Sequence, residues 1–438
     1  MSVIKAKKWL LAEAAARGVE LEVLASSERR LSIEARDGKA ADIDMSTRGG
    51  IGLRVVDGGR VGYASTEDLG EESLAWALTE AIDNASLQSE GAAALPAGRA
   101  LGRHDLLDEG LSAELASKAA AAVELQTTIS ADPRVQAVNF SRYTEAQAEV
   151  ELGSTTGSEG GYRTGMAALV AGIVMRTGSS VKQGYEFDAK REFHQLEPGR
   201  TAQDALARIG RQLGATPLKT GRRRAMLEPE VMATLLQLLA YAVSGKTLAE
   251  GKSRLAGKLG QQVASELVTI VDDPTLPGGL ASYPFDSEGT LAQPVTIIER
   301  GVLRSFLHNS DTAARTGHKT TGHASRTYAS TLAVSPSNLL LEPGAGTTQA
   351  DGVLITDLMG VHAGANPITG DVSVQAMGIE TSGGEQRPVD DFAISFNLFE
   401  LLARVIEVGD TVTWKPGFGG GAVGAPSVTI EELSFAGG

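Results

Sequence analysis

Short runs in which apolar and polar residues alternate one for one recur along this chain. They restrict it to folds in which sheets with one buried face carry most of the structure. Val19-Glu-Leu-Glu-Val-Leu24, Arg30-Leu-Ser-Ile-Glu-Ala35 and Gly52-Leu-Arg-Val-Val56 show the pattern early, and Asp57-Gly-Gly59 supplies a hairpin turn. A helix reaching to about Arg17 precedes these strands. From Glu71 the spacing turns helical, with Leu74, Leu78, Ala81 and Ile82 on one face. Residues 1–90 therefore read as one helix, antiparallel sheet, helix unit.

Residues 90–103, rich in Ala, Gly and Pro, read as a linker, after which the same order recurs over 104–218. A helix from about Ser112 to Ser130 leads into strands across 135–197, and a helix from about Thr201 to Leu213 closes the unit. Arg60-Val-Gly-Tyr63 and Val181-Lys-Gln-Gly-Tyr185 align the two halves locally, although shared turn chemistry accounts for so short a match nearly as well. A third region, 219–438, opens with the strand Arg224-Ala-Met-Leu227 and with Pro229 in a helix's first turn. Val231 to Val243 is apolar nearly all round, which predicts a buried helix. Beyond Val268 strands and glycine turns follow one another, with one helix near Phe396 to Val405. The expected class is α+β: two helix and antiparallel-sheet units, then a large, mostly antiparallel β domain whose edges a barrel would close. A length of 438 residues fits this division, being more than one hydrophobic core supports.

Charge and composition exclude several functions. Forty basic against 54 acidic side chains leave a net charge of −14, which repels nucleic-acid phosphates and anionic lipid. The one compact basic patch, Arg222-Arg223-Arg224, reads as solvated surface, so no nucleic-acid partner is expected. The absence of cysteine removes disulfides, thiolate catalysis and thiolate metal ligation. Lys5, Lys7 and Lys8 before Trp9-Leu-Leu11 imitate a signal peptide, but Glu13 and Arg17 interrupt the apolar stretch. No run approaches the roughly 18 apolar residues a membrane span needs. A cytoplasmic location without membrane contact is expected.

Several chemical motifs have plainer readings. His318 and His323 are five apart across a glycine turn, which is not the i, i+4 spacing of a helical metal pair. His104, His194, His308 and His362 suggest no ligand set either. Asp272-Asp273-Pro274, and Asp286 with Glu288, could do acid and base work, but Asp before Pro more often caps a turn. No Gly-x-Ser-x-Gly elbow is present, and Ser325 and Ser373 have no identifiable base. Gly251-Lys-Ser253 follows a helix where a phosphate loop follows a strand. Gly417-Phe-Gly-Gly-Gly-Ala-Val-Gly424 reads as a flexible loop.

The run from Gly360 to Ser373, Gly-Val-His-Ala-Gly-Ala-Asn-Pro-Ile-Thr-Gly-Asp-Val-Ser, is unusually dense in turn formers and small polar groups. Five further stretches accompany it: Thr269-Ile-Val-Asp-Asp-Pro274, Pro284-Phe-Asp-Ser-Glu-Gly-Thr290, Ile298-Glu-Arg-Gly-Val-Leu303, Thr321-Gly-His-Ala-Ser-Arg326 and Gly424-Ala-Pro-Ser-Val428. In this order they resemble the TldD/PmbA family, built around a cytoplasmic zinc metalloprotease and its sister subunit and first described as modulators of DNA gyrase. The resemblance covers the whole C-terminal half; the N-terminal half fits less distinctively.

The resemblance has a chemical consequence. The family's catalytic member carries His-Glu-x-x-x-His on the first helix of the large domain, where two imidazoles hold zinc and the glutamate takes a proton from bound water. Aligned on the preceding strand, Pro229 and Leu235-Leu236, the histidine positions fall on Gln237 and Ala242, and the glutamate position on Leu238. That pattern resembles the sister subunit, the TldE/PmbA type. It implies a non-catalytic subunit without its own cofactor, with zinc in a TldD-like protease partner, helping to shape a cleft for unfolded or extended peptides. A stand-alone peptide-binding or scaffold protein, as a homodimer, is the alternative; a hydrolase with an unrecognised site is a third. Whether this chain is itself an enzyme stays open, with a pseudoenzyme subunit expected. From their place in the signature run, His362, Asn366, Thr369, Gly370 and Asp371 are candidate peptide contacts, with a purely structural turn as the competing reading.

Overall fold

A computed structural model describes residues 1–89, 93–348, 350–417 and 420–438. The expected domain boundary at 90, the start of the linker, and residues 418 and 419 of the glycine-rich run lie outside the described residues.

Helix α1 (Val3–Ala16) is capped by the Ser2 side chain, which accepts from the Lys5 N–H. It precedes β1 (Glu20–Arg36), β2 (Lys39–Asp57) and β3 (Arg60–Thr66), and then α2 (Glu71–Ser86). The second unit supplies β4 (Ala100–Asp105), α3 (Leu115–Ser130), β5 (Val135–Ser154), β6 (Glu159–Thr177), β7 (Ser180–Lys190) and α4 (Pro198–Gly210). Asp57 pairs with Arg60 around Gly58 and Gly59, both at positive φ, so the hairpin forms where the turn residues require it.

The two units do not each keep a sheet. β1 pairs with β5 antiparallel from Glu22↔Ser154 to Glu34↔Arg142, which makes one sheet in the order β3-β2-β1-β5-β6. β4 and β7 both add to β6, at different stretches of it. One core lies under α1 and α2 and contains Leu10, Leu21, Leu53, Leu74 and Leu78. The other lies with α3 and α4 and contains Leu125, Tyr143, Leu169, Ile173 and Ile209. Leu31 and Ile33 of β1 belong to this second core. The first hairpin thus reaches across both units.

The C-terminal region adds β8 (Thr216–Pro217), β9 (Gly221–Leu227), α5 (Pro229–Ala242), α6 (Gly245–Ala249), β10 (Ile270–Asp272), β11 (Val295–Glu299), β12 (Val302–Leu303) and α7 (Ser310–Thr316). There follow β13 (Ala324–Ser325), β14 (Ala333–Val334), β15 (Asn338–Leu341), β16 (Gly352–Met359), α8 (Val361–Gly364), β17 (Asp371–Ser382), β18 (Glu385–Asn397) and α9 (Leu398–Ala403). β19 (Val405–Val408), β20 (Thr413–Pro416), β21 (Ala422–Ala425) and β22 (Val428–Gly437) complete the chain. The run β22-β9-β16-β17-β18 closes on itself because β18 also pairs with β22. The barrel expected as a way of hiding edges is therefore present. A second sheet, β12-β11-β10-β15-β21-β20, ends on β20.

Three details differ from the sequence reading. The helix expected near Phe396 to Val405 is only α9. The arginines at 222–224 lie on β9, each opposite a carboxylate: Glu432, Glu380 and Glu407. α5 is not buried all round. Val231, Leu235, Leu239 and Ala242 are buried, but Glu230, Thr234, Gln237, Leu238 and Tyr241 form a less buried stripe, with Tyr241 54% exposed.

Candidate functional site

Two of the C-terminal motif stretches meet the N-terminal sheet at a buried junction. Glu22 of β1 and Arg54 of β2 come from the sheet; Glu288 and Arg326 come from the turns at 284–290 and 321–326. Arg54 Nη1 donates to Glu288 Oε1 at 2.5 Å and lies 3.8 Å from Glu22, while Arg326 Nη2 donates to Glu22 Oε1 at 2.9 Å. All four residues are buried. Glu288 also accepts from the Ser310 N–H at 2.8 Å. Beside them Gly52 lets the backbone of Tyr328 lie against β2, since a Cβ there would stand 2.1 Å from the Tyr328 carbonyl oxygen.

Asp286 and Asp272 have structural surroundings. Asp286 accepts the N–H groups of Glu288, Thr290 and Ala324 at 3.0, 2.8 and 3.0 Å, so it ties two turns together. Burial, and secondly the charge on Glu288, pushes its carboxyl up to about 8. Asp272 accepts from the Ser337 N–H and contacts His323 Nε2 at 2.9 Å; His323 Nδ1 lies 2.9 Å from Thr321 Oγ1. Asp272 and His323 have no exposed surface, so this hydroxyl, imidazole and carboxylate row offers no access to a substrate.

Of the five candidate peptide contacts, four form one turn. The Asn366 side-chain oxygen accepts from the N–H groups of Ile368 (2.9 Å) and Thr369 (3.2 Å). Gly370 takes φ +79°, and a Cβ on it would meet the Phe399 ring at 2.6 Å. Asn397 Nδ2 donates to the Thr369 carbonyl and to Asp371 Oδ1, both at 2.9 Å. The Asn397 bond, then that of Thr369, holds the Asp371 carboxyl below its ordinary range. His362 stands apart, exposed on the single turn α8. The turn is linked to the end of α5 through adjacent residues: Ser253 Oγ donates to the Ala242 carbonyl and Arg254 Nη1 to the Thr369 carbonyl.

The start of α5 opens onto a cleft of about 640 Å3 between the second unit and the C-terminal region. One wall is β7 from Glu186 to Lys190 with α4 behind it; the other is Thr411 to Lys415, which includes most of β20. Among the described residues both strands are edges, β7 pairing only with β6 and β20 only with β21. Lys415 Nζ bridges the walls, 3.3 Å from Glu186 and 3.7 Å from Glu230. Arg208 lies 3.5 Å from Glu186 and 3.9 Å from Glu230, and Arg211 grips Glu228 with two bonds of 2.6 and 2.5 Å. Burial raises the Glu228 carboxyl despite this guanidinium.

This cleft went unread in the sequence because its charges come from β7, α4, the lead into α5 and β20, with no common spacing. The one available signal was Glu228-Pro-Glu230 at a helix start. Along the α5 stripe that leads away from it, Gln237 Oε1 is buried without a hydrogen-bond partner. Among the described residues no group of three His, Cys, Asp or Glu side chains could hold a metal ion.

The protein is thus a largely antiparallel sheet with paired helices that leads into a closed barrel whose first helix borders a cleft. Three successive stretches match the domains of one family: PmbA/TldA metallopeptidase domain 1 over residues 21–85, the central domain over 108–213 and the C-terminal domain over 220–437. This chain belongs to the TldD/PmbA family. It is 28% identical to metalloprotease PmbA of Escherichia coli O157:H7, with 98% of both chains covered. It is 27% identical to a metalloprotease PmbA homolog of Haemophilus influenzae, covering 100% of this chain and 98% of the relative. A crystal structure from Thermotoga maritima, of a candidate modulator of a DNA gyrase, superposes with a TM-score of 0.90 at 26% identity, over 99% of this chain and all of that one. TldE from Thermococcus kodakarensis shares the fold, with a TM-score of 0.87 at 24% identity over 98% and 100% of the two chains. Among the described residues no helix is long and apolar enough to cross a membrane.

Proposed function

We propose that this chain is a non-catalytic subunit of a TldD/TldE-like zinc protease and that it forms one side of a cleft for unfolded or extended peptides. What supports the reading is the half-buried α5 stripe taken with the resemblance: Gln237 and Leu238 stand on it and Ala242 is buried, at the positions to which the resemblance carries the protease's two histidines and glutamate. An amide, an isobutyl group and a methyl group do not fit a zinc ion, and no thiolate exists to assist. No step of peptide hydrolysis is assigned to this chain.

The cleft supports the peptide part of the reading. Among the described residues β7 and β20 are sheet edges along which an extended segment could pair, while side chains of the segment meet the charged groups of the cleft and the Phe187 and Trp414 rings. Backbone pairing gives binding with little sequence preference. A TldD-like protease is the partner in this reading, and His362, Asn366, Thr369, Gly370 and Asp371 are this chain's candidate peptide contacts.

Reconstitution tests the proposal. Hydrolysis of an unfolded polypeptide is measured with this chain, with a relative from the same organism that carries His-Glu-x-x-x-His, and with both. The mixture is expected to be active and chelator-sensitive, with activity at least tenfold above the sum of the separate chains. Equal activity for the relative with and without this chain refutes the subunit role.

A further inference from the structure

The cleft does not end at Glu186. Arg208 of α4 and Arg211 just after it line the cleft, and both also line a smaller pocket of about 70 Å3 along the preceding stretch of β7, Lys182 to Tyr185. The β16–β17 hairpin lines this pocket through Thr356, Asp357 and Met377. A bulge between Ile355 and Asp357 interrupts the ladder to β17, and the extra residue, Thr356, meets Gln212 beyond the end of α4.

The polar groups around the pocket are unevenly satisfied. Gln212 is 4% exposed; its Nε2 donates to Thr356 Oγ1 at 2.8 Å, and that hydroxyl donates to the Met377 carbonyl at 3.2 Å. The hydroxyl's one proton is thereby used, which sets the orientation of the amide and leaves Gln212 Oε1 buried with no donor among the described residues. Among those residues Asp357 accepts only the N–H of its neighbour Leu358, at 2.8 Å, and burial raises its carboxyl despite the charge on Arg208. The cations are already committed: Lys182 to Asp390, Arg208 to Glu186 and Glu230, and both Nη atoms of Arg211 to Glu228. Arg211 Nε is buried without an acceptor. What remains free is two acceptors, one of them a carboxylate, beside one donor.

We propose that this pocket receives the free N-terminus of a bound peptide, its α-ammonium held by Gln212 Oε1 and the Asp357 carboxylate and its first carbonyl by Arg211 Nε. An ammonium brings three donors to the two acceptors, and the first peptide carbonyl brings the one acceptor that the guanidinium lacks. The rest of the peptide then runs parallel to β7, from Lys182 toward Lys190, into the larger cleft. A C-terminal carboxylate would bring only acceptors to Gln212 and Asp357, and would set a second negative charge beside an unpaired one. The inference rests on the peptide-cleft reading and adds a substrate class to it: chains with an unblocked amino terminus.

The test is calorimetric binding of one lysine-free, unfolded peptide to the full-length protein in three forms: unmodified, N-acetylated and C-amidated. Without lysine, the α-amino group is the peptide's only ammonium. Acetylation is expected to weaken binding about tenfold or more, since it removes the charge and turns a carbonyl oxygen toward two acceptors; amidation should leave binding unchanged. In Asp357→Asn the unmodified peptide should lose most of its advantage while the acetylated one binds as before, a pattern that loss of folding does not give. Equal binding of the unmodified and acetylated forms, a loss on amidation instead, or a full preference retained in Asp357→Asn overturns the terminal pocket and leaves the cleft standing. If no form binds, the cleft reading fails and this one fails with it.

Discussion

The N-terminal sheet meets the C-terminal region in two ways, and both contacts are built from the same residue types. At the junction, Glu22, Arg54, Glu288 and Arg326 are all buried, with direct bonds of 2.5 to 2.9 Å. At the cleft, Glu186, Arg208, Glu230 and Lys415 keep partial exposure and separations of 3.3 to 3.9 Å. Removing a partner from a fully buried charge is costly, whereas pairs that keep some contact with water at longer separations contribute less and can exchange partners. The junction is suited to holding two bodies in fixed relation, and the cleft to admitting a third.

The difference can be broken most strongly at Arg54. Arg54→Ala leaves Glu288 and Glu22 buried with one guanidinium between them, and should cost about 3–5 kcal/mol, read as a lower urea midpoint. Gly52→Ala forces a methyl group against the Tyr328 carbonyl, for roughly 1–3 kcal/mol of overpacking. Tyr328→Ala should not rescue it, because the clash is with backbone.

Asp286 gives the junction a pH dependence. With its carboxyl raised from 3.8 to about 8, the folded state holds a proton that the unfolded state has released across this interval. The stability contribution is full below about 4 and is lost as pH rises through about 8. The urea midpoint should fall between pH 6 and pH 9, and Asp286→Asn should flatten that fall. The smallest effect on stability belongs to the cleft: Lys415→Ala should change it by about 1 kcal/mol or less, while weakening peptide binding followed by Trp414 fluorescence. A stability loss as large as that of Arg54→Ala would erase the distinction between the two contacts.

Local features of the fold were legible where one residue type has one physical use. Asp57-Gly-Gly59 set a hairpin, and Pro229 opens α5. The β1 to β5 pairing was not legible, because nothing in Glu22 to Glu34 names a partner more than a hundred residues away, and both strands alternate equally well. The motif residues Asp272, Asp286, Glu288 and His323 identified the family, yet their backbone-capping surroundings depended on folded neighbours such as Ser337 and Ala324. The α5 stripe escaped a reading by composition, since Leu238 is apolar but only partly buried and Tyr241 is half exposed. An apolar residue on a helix flank does not show which side the cleft lies on.

The central claim is that this chain retains a peptide cleft without the means to cut. The most direct measurement is cleavage of an unfolded polypeptide by the purified chain alone, with excess zinc and with chelator. The account predicts the same absence of cleavage in both. Zinc-dependent, chelator-sensitive cleavage that copurifies with the chain and is altered by substitutions at Gln237 would contradict it.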